Sequence, residues 1–252
     1  MTLVPFPRRT ASLTNASSVN RYERQPYAEH LARMARDWKQ GEHILVCGPT
    51  SSGKTTLVRP MLERRSHVVG LFTKIKDPTI LKEFAGWRRY EKWPKHGIPK
   101  DETRVMIWPK PGRTLAETRI IHRDVMRDAL DAVSREGNRC VYIDEGLYLA
   151  DAKYGNLSAD MGMLHYFGRS SGISMVTTAQ RPFYLPKVIL SSITHGYFAR
   201  TRDRDDLKRL ADIGSVDTKE VAANLAALED RHDFVYLNPQ GDGKPAVVNA
   251  RR

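Results

Sequence analysis

Two cysteines in 252 residues leave almost nothing from which to build a disulfide framework. Cys47 closes one apolar run and Cys140 opens another, so parallel strands would hold them at opposite ends of a sheet, beyond bonding reach. Reduced thiols in a cytoplasmic setting are the expectation. Long apolar runs are missing too: no stretch approaches the ~18 residues of a membrane span, and the first residues carry no apolar segment of the secretory type. A soluble protein without a membrane span is expected. Acidic residues are in deficit, 29 against 41 basic, for a formal net charge of +12. That excess favours a polyanionic partner, although charge alone gives only nonspecific attraction. No internal repeat is present, which sets repeat architectures aside.

What remains suits one α/β domain with tails. Residues 1–26 are rich in Pro, Ser, Thr, Asn and Arg and lack periodicity, the pattern of a flexible basic arm. Residues 27–238 alternate helical and strand patterns. Leu31, Met34, Ala35 and Trp38 recur at helical spacing, and apolar runs at 43–47, 68–72, 105–108, 139–144, 173–178, 194–199 and 232–237 read as strands. Helices are expected at 115–133, around Leu157, Met161 and Leu164, and after Asp203 and Asp217. Residues 239–252 read as a polar tail. Strands alternating with helices imply a mostly parallel central sheet with helices on both faces.

Directly behind the apolar run 43–47 stands Gly48-Pro49-Thr50-Ser51-Ser52-Gly53-Lys54-Thr55, a complete G-x-x-x-x-G-K-[ST] phosphate loop, and Thr56 opens the following helix. A strand delivers such a loop, and the helix behind it aims unpaired N–H groups at phosphate oxygens. Gly48 and Gly53 let the backbone wrap an anion closely. Lys54 would reach the β and γ phosphates and Thr55 would place its hydroxyl on Mg²⁺. ATP with Mg²⁺ is the expected ligand. Pro60 is expected to end or kink this helix early.

A second apolar strand ends in Asp144-Glu145, the form of a Walker B motif. Asp144 would hold the metal's water shell and Glu145 would polarise an attacking water. The strand ending in Thr178-Ala179-Gln180 would bring an amide beside the γ-phosphate, where it can orient that water.

Taken with Gly168-Arg169-Ser170-Ser171-Gly172-Ile173, Gln180-Arg181-Pro182, the aromatic strand at 196–200 and the segment 203–210, these motifs resemble the RecA-like (ASCE) P-loop NTPase core of the FtsK/HerA superfamily, over roughly residues 42–237. That superfamily comprises hexameric DNA pumps: chromosome translocases, conjugative coupling ATPases and viral genome-packaging ATPases. The resemblance implies Lys54 and Thr55 on nucleotide and Mg²⁺, Asp144 on metal, Glu145 as catalytic base, Gln180 as sensor, and Arg169 as an arginine offered to the neighbouring subunit's site. Double-stranded DNA and a homo-oligomeric ring are then the expected partners. The chain shows neither a winged DNA-reading domain nor a large N-terminal barrel, which leaves open whether another protein, such as a portal or capsid component, supplies the docking function.

For DNA contact, residues 74–100 carry eight lysines and arginines against three acids, among them Lys74, Lys76, Arg88, Arg89 and Lys92, interleaved with Trp87, Tyr90 and Trp93. A solvated helix whose aromatics pack on the sheet explains the same pattern. Lys153, in the loop behind Glu145, is a second candidate. The leading expectation is a ring-forming motor that pumps duplex DNA for viral genome packaging. A DNA transfer or segregation ATPase, a filamentous-phage assembly ATPase and a small-molecule P-loop kinase stay open.

Overall fold

The computed structural model describes residues 20–241 and 243–251. Its first strand, β1 (Glu23–Gln25), precedes α1 (Tyr27–Asp37) and β2 (His43–Cys47). The phosphate loop leads into α2 (Lys54–Leu62), then β3 (Val68–Leu71), α3 (Pro78–Glu83), β4 (Arg88–Tyr90) and β5 (Arg104–Ile107). Next come the long α4 (Leu115–Glu136), β6 (Cys140–Ile143), α5 (Gly146–Ala150), α6 (Ser158–Ser171) and β7 (Ser174–Ala179). α7 (Lys187–Ser192), β8 (Ile193–Phe198), α8 (Arg204–Gly214), α9 (Thr218–Ala226), β9 (Asp233–Leu237) and β10 (Ala246–Asn249) complete the order.

Local chemistry sets the helix starts. Thr114 caps α4 by accepting from the Glu117 N–H at 3.1 Å. Asp203 and Asp217 cap α8 and α9 in the same manner. α2 is short, ending at Leu62 two residues beyond Pro60, which lies within the helix.

The strands form one sheet in the order β1-β10-β9-β8-β2-β7-β6-β3-β5-β4. From β8 to β4 all neighbours are parallel, whereas β9 runs antiparallel to β8 and β10 antiparallel to β9. Side chains of these buried strands alternate between the two faces, as the pleat requires. Ile44, Val46, Cys140, Tyr142 and Phe72 pack with Leu57, Val58, Met61 and Leu62 of α2 on one face. On the other, Val69, Leu71, Val141 and Ile143 meet Met126, Leu130 and Val133 of α4 and Met161 and Leu164 of α6. Leu45, Cys47 and Val235 meet α8 and α9 on that second face. This is the doubly covered, mostly parallel α/β sheet expected.

Both tail boundaries need correction. Residues 1–19 of the expected flexible arm lie outside the described residues, but Tyr22 is buried and Glu23–Gln25 pair in parallel with β10. The reason is a polar anchor rather than an apolar pattern. Arg24 reaches the buried Asp233 carboxylate through Nη1 and Nη2 of its guanidinium, at 3.1 and 2.9 Å. In the expected polar tail, the Ala246–Asn249 run adds β10 to the sheet, with Val248 fully buried. No helix among the described residues is long and apolar enough to cross a membrane.

Candidate nucleotide site

β2 delivers the phosphate loop at its C-terminal end, between β7 and β8. Gly53 stands at φ 87°, ψ 18° just before α2, and a Cβ there would come within 2.8 Å of the His232 ring, so both conformation and space call for glycine. A Cβ on Gly48 would lie 2.6 Å from that of Ala199. Lys54 curls back over the loop, donating from Nζ to the carbonyls of Gly48 at 2.6 Å and Pro49 at 2.9 Å. Burial holds its pKa below the usual lysine value, and the neighbouring Glu145 carboxylate only partly offsets this.

β6 ends two strands away. The pleat that sends Tyr142 toward α2 sends Asp144 the same way, and the Tyr142 hydroxyl donates to Asp144 Oδ1 at 3.1 Å. Asp144 is 4% exposed, and its Oδ2 accepts no hydrogen bond although Lys74 Nζ stands 3.3 Å away. Glu145 lies beside Gln180 and Lys54, and its Oε1 is buried without a partner. Burial raises the Glu145 pKa, with Asp144 adding to the rise and Lys54 and the Gln180 amide opposing it.

These groups share one cavity of about 370 Å³, lined by Thr50, Ser51, Gly53, Lys54, Thr55, Thr56, Asp144, Glu145 and Gln180. Gly48 and Pro49 line an adjoining cavity of about 460 Å³ that also touches Gln180, whereas Ser52 is buried within the loop. Thr55 and Asp144 supply the hard oxygen donors that Mg²⁺ favours, and Asp144 Oδ2, which faces a cation but accepts no hydrogen bond, fits such an ion. No cluster of three or more His, Cys, Asp or Glu side chains fit for a metal occurs among the described residues, and Mg²⁺ held by Thr55 and Asp144 would share its coordination with substrate and water.

Sequence patterns missed several walls of this cavity. Lys74, a candidate for DNA contact by sequence, pairs its amine with Asp77 at 2.8 Å and with Asp144 at 3.3 Å and lines this same cavity. Arg231, His232 and Arg251 form the opposite rim, because β9 and β10 run antiparallel and return the chain to the strands' C-terminal edge. Lys74 follows β3 at that same edge, where open α/β sheets bind ligands, and this rule was the available signal.

The remaining candidates lie apart. Arg169 is exposed in the last turn of α6, and its Cα would be 2.6 Å from a Cβ on Gly41, at the N-terminal end of β2. Its own phosphate loop is thus a full strand away, ~17 Å at the usual rise per residue. Residues 74–100 form no single helix. Trp87 is buried in the core on the α2 side of the sheet, and Tyr90 and Trp93 are half-buried against the core on the other side, so the three do not form one exposed stacking platform. Arg88 and Arg89 belong to the edge strand β4, with Arg89 stacked over the Trp108 ring at 4.5 Å, while Lys76, Lys92 and Lys153 are exposed.

No protein-family profile and no curated protein matches the sequence. Solved structures do match. B204, the DNA-packaging ATPase from Sulfolobus turreted icosahedral virus, aligns with a TM-score of 0.59 at 15% identity, over 83% of this chain and 97% of that one. The genome-packaging NTPase B204 from Sulfolobus turreted icosahedral virus 2, in complex with AMPPCP, gives 0.56 at 15% identity over 82% and 97%. VirB4 of Thermoanaerobacter pseudethanolicus gives 0.57 at 8% identity over 82% and 88%. The chain has the RecA-like P-loop fold of these structures. In this RecA-like core the phosphate loop, Asp144, Glu145 and Gln180 all stand at the C-terminal edge of adjacent parallel strands.

Proposed function

We propose that this chain is an ATP-hydrolysing motor that assembles as a ring and moves double-stranded DNA, with viral genome packaging as its setting. The observation that carries the reading is the convergence of Lys54, Asp144, Glu145 and Gln180 on one cavity, with a buried, unpaired Glu145 oxygen. Binding alone has no use for that second acid. The correspondence with packaging ATPases over nearly their whole length supports the setting.

Lys54 and the N–H groups opening α2 hold the phosphates. Thr55 and Asp144 would hold Mg²⁺, which neutralises charge on the phosphate oxygens. Glu145 accepts the proton of the attacking water, and Gln180 orients that water. Arg169 serves a neighbour: it faces away from its own phosphates and is flanked by the exposed Met163, Tyr166 and Phe167, an apolar patch suited to a subunit contact. ATP turnover with and without duplex DNA, read beside the native mass of the assembly, tests the reading.

The raised Glu145 pKa has a kinetic consequence. A base must be ionised, so the acid limb of kcat/KM, which reports the free enzyme, should lie above the ordinary glutamate value of about 4.3. Gln180→Ala should move it higher, because the amide's hydrogen bond favours the carboxylate. A pH–rate profile with its limb at the ordinary value would remove Glu145 as the base.

DNA binding should weaken steeply with salt and depend little on sequence, through Lys76, Arg88, Arg89, Lys92 and Lys153. Replacing Arg88, Arg89 and Lys92 together with alanine should reduce the slope of log K against log salt by about 2 to 3. An unchanged slope with unchanged affinity would move the contact to the Lys153 loop.

A further inference from the structure

Immediately beyond Gln180 the chain is tied to a different part of the molecule. Arg181 directs Nη2 to Asp203 Oδ2 at 2.7 Å and Nε to Asp206 Oδ2 at 3.1 Å, spanning two carboxylates with one planar fork. Asp206 is 3% exposed, and its remaining capacity is used by the same two loops: Oδ1 accepts from the Phe183 N–H at 3.3 Å and Oδ2 from the Thr201 hydroxyl at 3.3 Å. Asp203 meanwhile caps α8, accepting from the N–H groups of Asp205 and Asp206. On the other side of Gln180, the Ala179 carbonyl accepts from the Gly48 N–H at 3.1 Å. The Gln180 backbone is therefore pinned to the phosphate loop in front and to α8 behind.

We propose that Arg181 is a positioning residue, which holds the Gln180 amide in register with Glu145 by latching the loop after β7 to Asp203 and Asp206. This rests on the ATPase reading above. A guanidinium suits the task because it presents several donors in a fixed plane, whereas an ammonium offers a single point of charge. Its plane also lies over the Tyr184 ring, 5.1 Å from the centroid, which restricts the fork further. Without Arg181 the buried Asp206 loses the one cation that pairs with it among the described residues, and the loop loses its tether to α8. Gln180 then keeps its chemistry and loses its place. Arg181, Asp203 and Asp206 line the adjoining cavity beside Gly48 and Pro49 rather than the one that holds Lys54, Asp144 and Glu145, so the loss should fall mainly on turnover.

The test is a double-mutant cycle. Arg181→Gln should lower kcat about 10²-fold, the scale of a misplacement near 1 Å, with ATP affinity and KM little changed. Arg181→Lys should fall between, since it restores the charge and not the fork. In a Gln180→Ala background, Arg181→Gln should add almost nothing, because the group it positions is already gone. Hydrogen exchange should show faster amides at 181 and 183–185 in Arg181→Gln, with β2 and β7 unchanged. Losses that multiply in the cycle, or exchange that does not change in the loop, overturn the assignment. Should Arg181→Gln fail to fold, the Arg181→Lys variant supports the same cycle. A parent that hydrolyses no ATP sinks the ATPase reading and with it the role Arg181 serves; a parent that hydrolyses ATP while the cycle is additive sinks only Arg181.

Discussion

Glu145→Gln is expected to keep ATP bound and to lose about 10²- to 10⁴-fold in turnover, the range a positioned general base contributes. The substitution preserves shape and removes only the proton acceptor, and the buried Oε1 has no other partner to lose. Lys54→Ala should act earlier. The Lys54 ammonium is the side-chain cation of the phosphate loop, so its removal should abolish nucleotide binding itself. Isothermal titration with ATP beside steady-state phosphate release separates the two. Glu145→Gln turning over at the parent rate would end the Walker B assignment. Tight ATP binding by Lys54→Ala would end the phosphate-loop assignment.

Arg169→Ala carries the second large effect. An arginine supplied to a transferring phosphoryl group is worth about 10³ to 10⁵ in kcat. Arg169 lies at the N-terminal end of the sheet, across the length of β2 from its own Lys54, so the loss should arise at a neighbour's site and leave ATP binding intact. Mixing gives the decisive form of the test. Arg169→Ala subunits retain Lys54, and Lys54→Ala subunits retain Arg169, so mixed assemblies contain interfaces where both groups are present. Activity should return on mixing although each variant alone is dead. Full activity of Arg169→Ala alone refutes the role. Mixed assemblies that stay inactive mean either that Arg169 acts within its own subunit or that all sites must fire in turn.

The parts of the site that could be read in the sequence are those carried by one short stretch. The phosphate loop, Asp144-Glu145 and Gln180 each follow an apolar run of strand length, and their place at a strand's C-terminal end is a local property. The parallel core was legible for the same reason, because buried strands such as Val141, Tyr142 and Ile143 are continuous apolar runs. Lys74, Arg231 and Arg251 were not legible as cavity residues. They meet only because β3 lies beside β6 and because β9 and β10 double back. β1 went unseen since three residues carry no measurable period and Arg24 is held by a charge pair. The 74–100 segment misled because Trp87 interleaves with lysines in sequence yet turns inward in space. Alternation of charge and aromatic residues fits an edge strand packed on a core as well as it fits a nucleic-acid surface.

The most direct test of a DNA-driven motor is ATP turnover by the purified chain as duplex DNA is titrated in, with native mass measured in the same samples. Turnover should rise on adding duplex of any sequence, fade as salt is raised, and track the assembled species rather than the single subunit. Turnover carried by the single subunit and indifferent to DNA, or transfer of the γ-phosphate to a small acceptor in place of water, would contradict it.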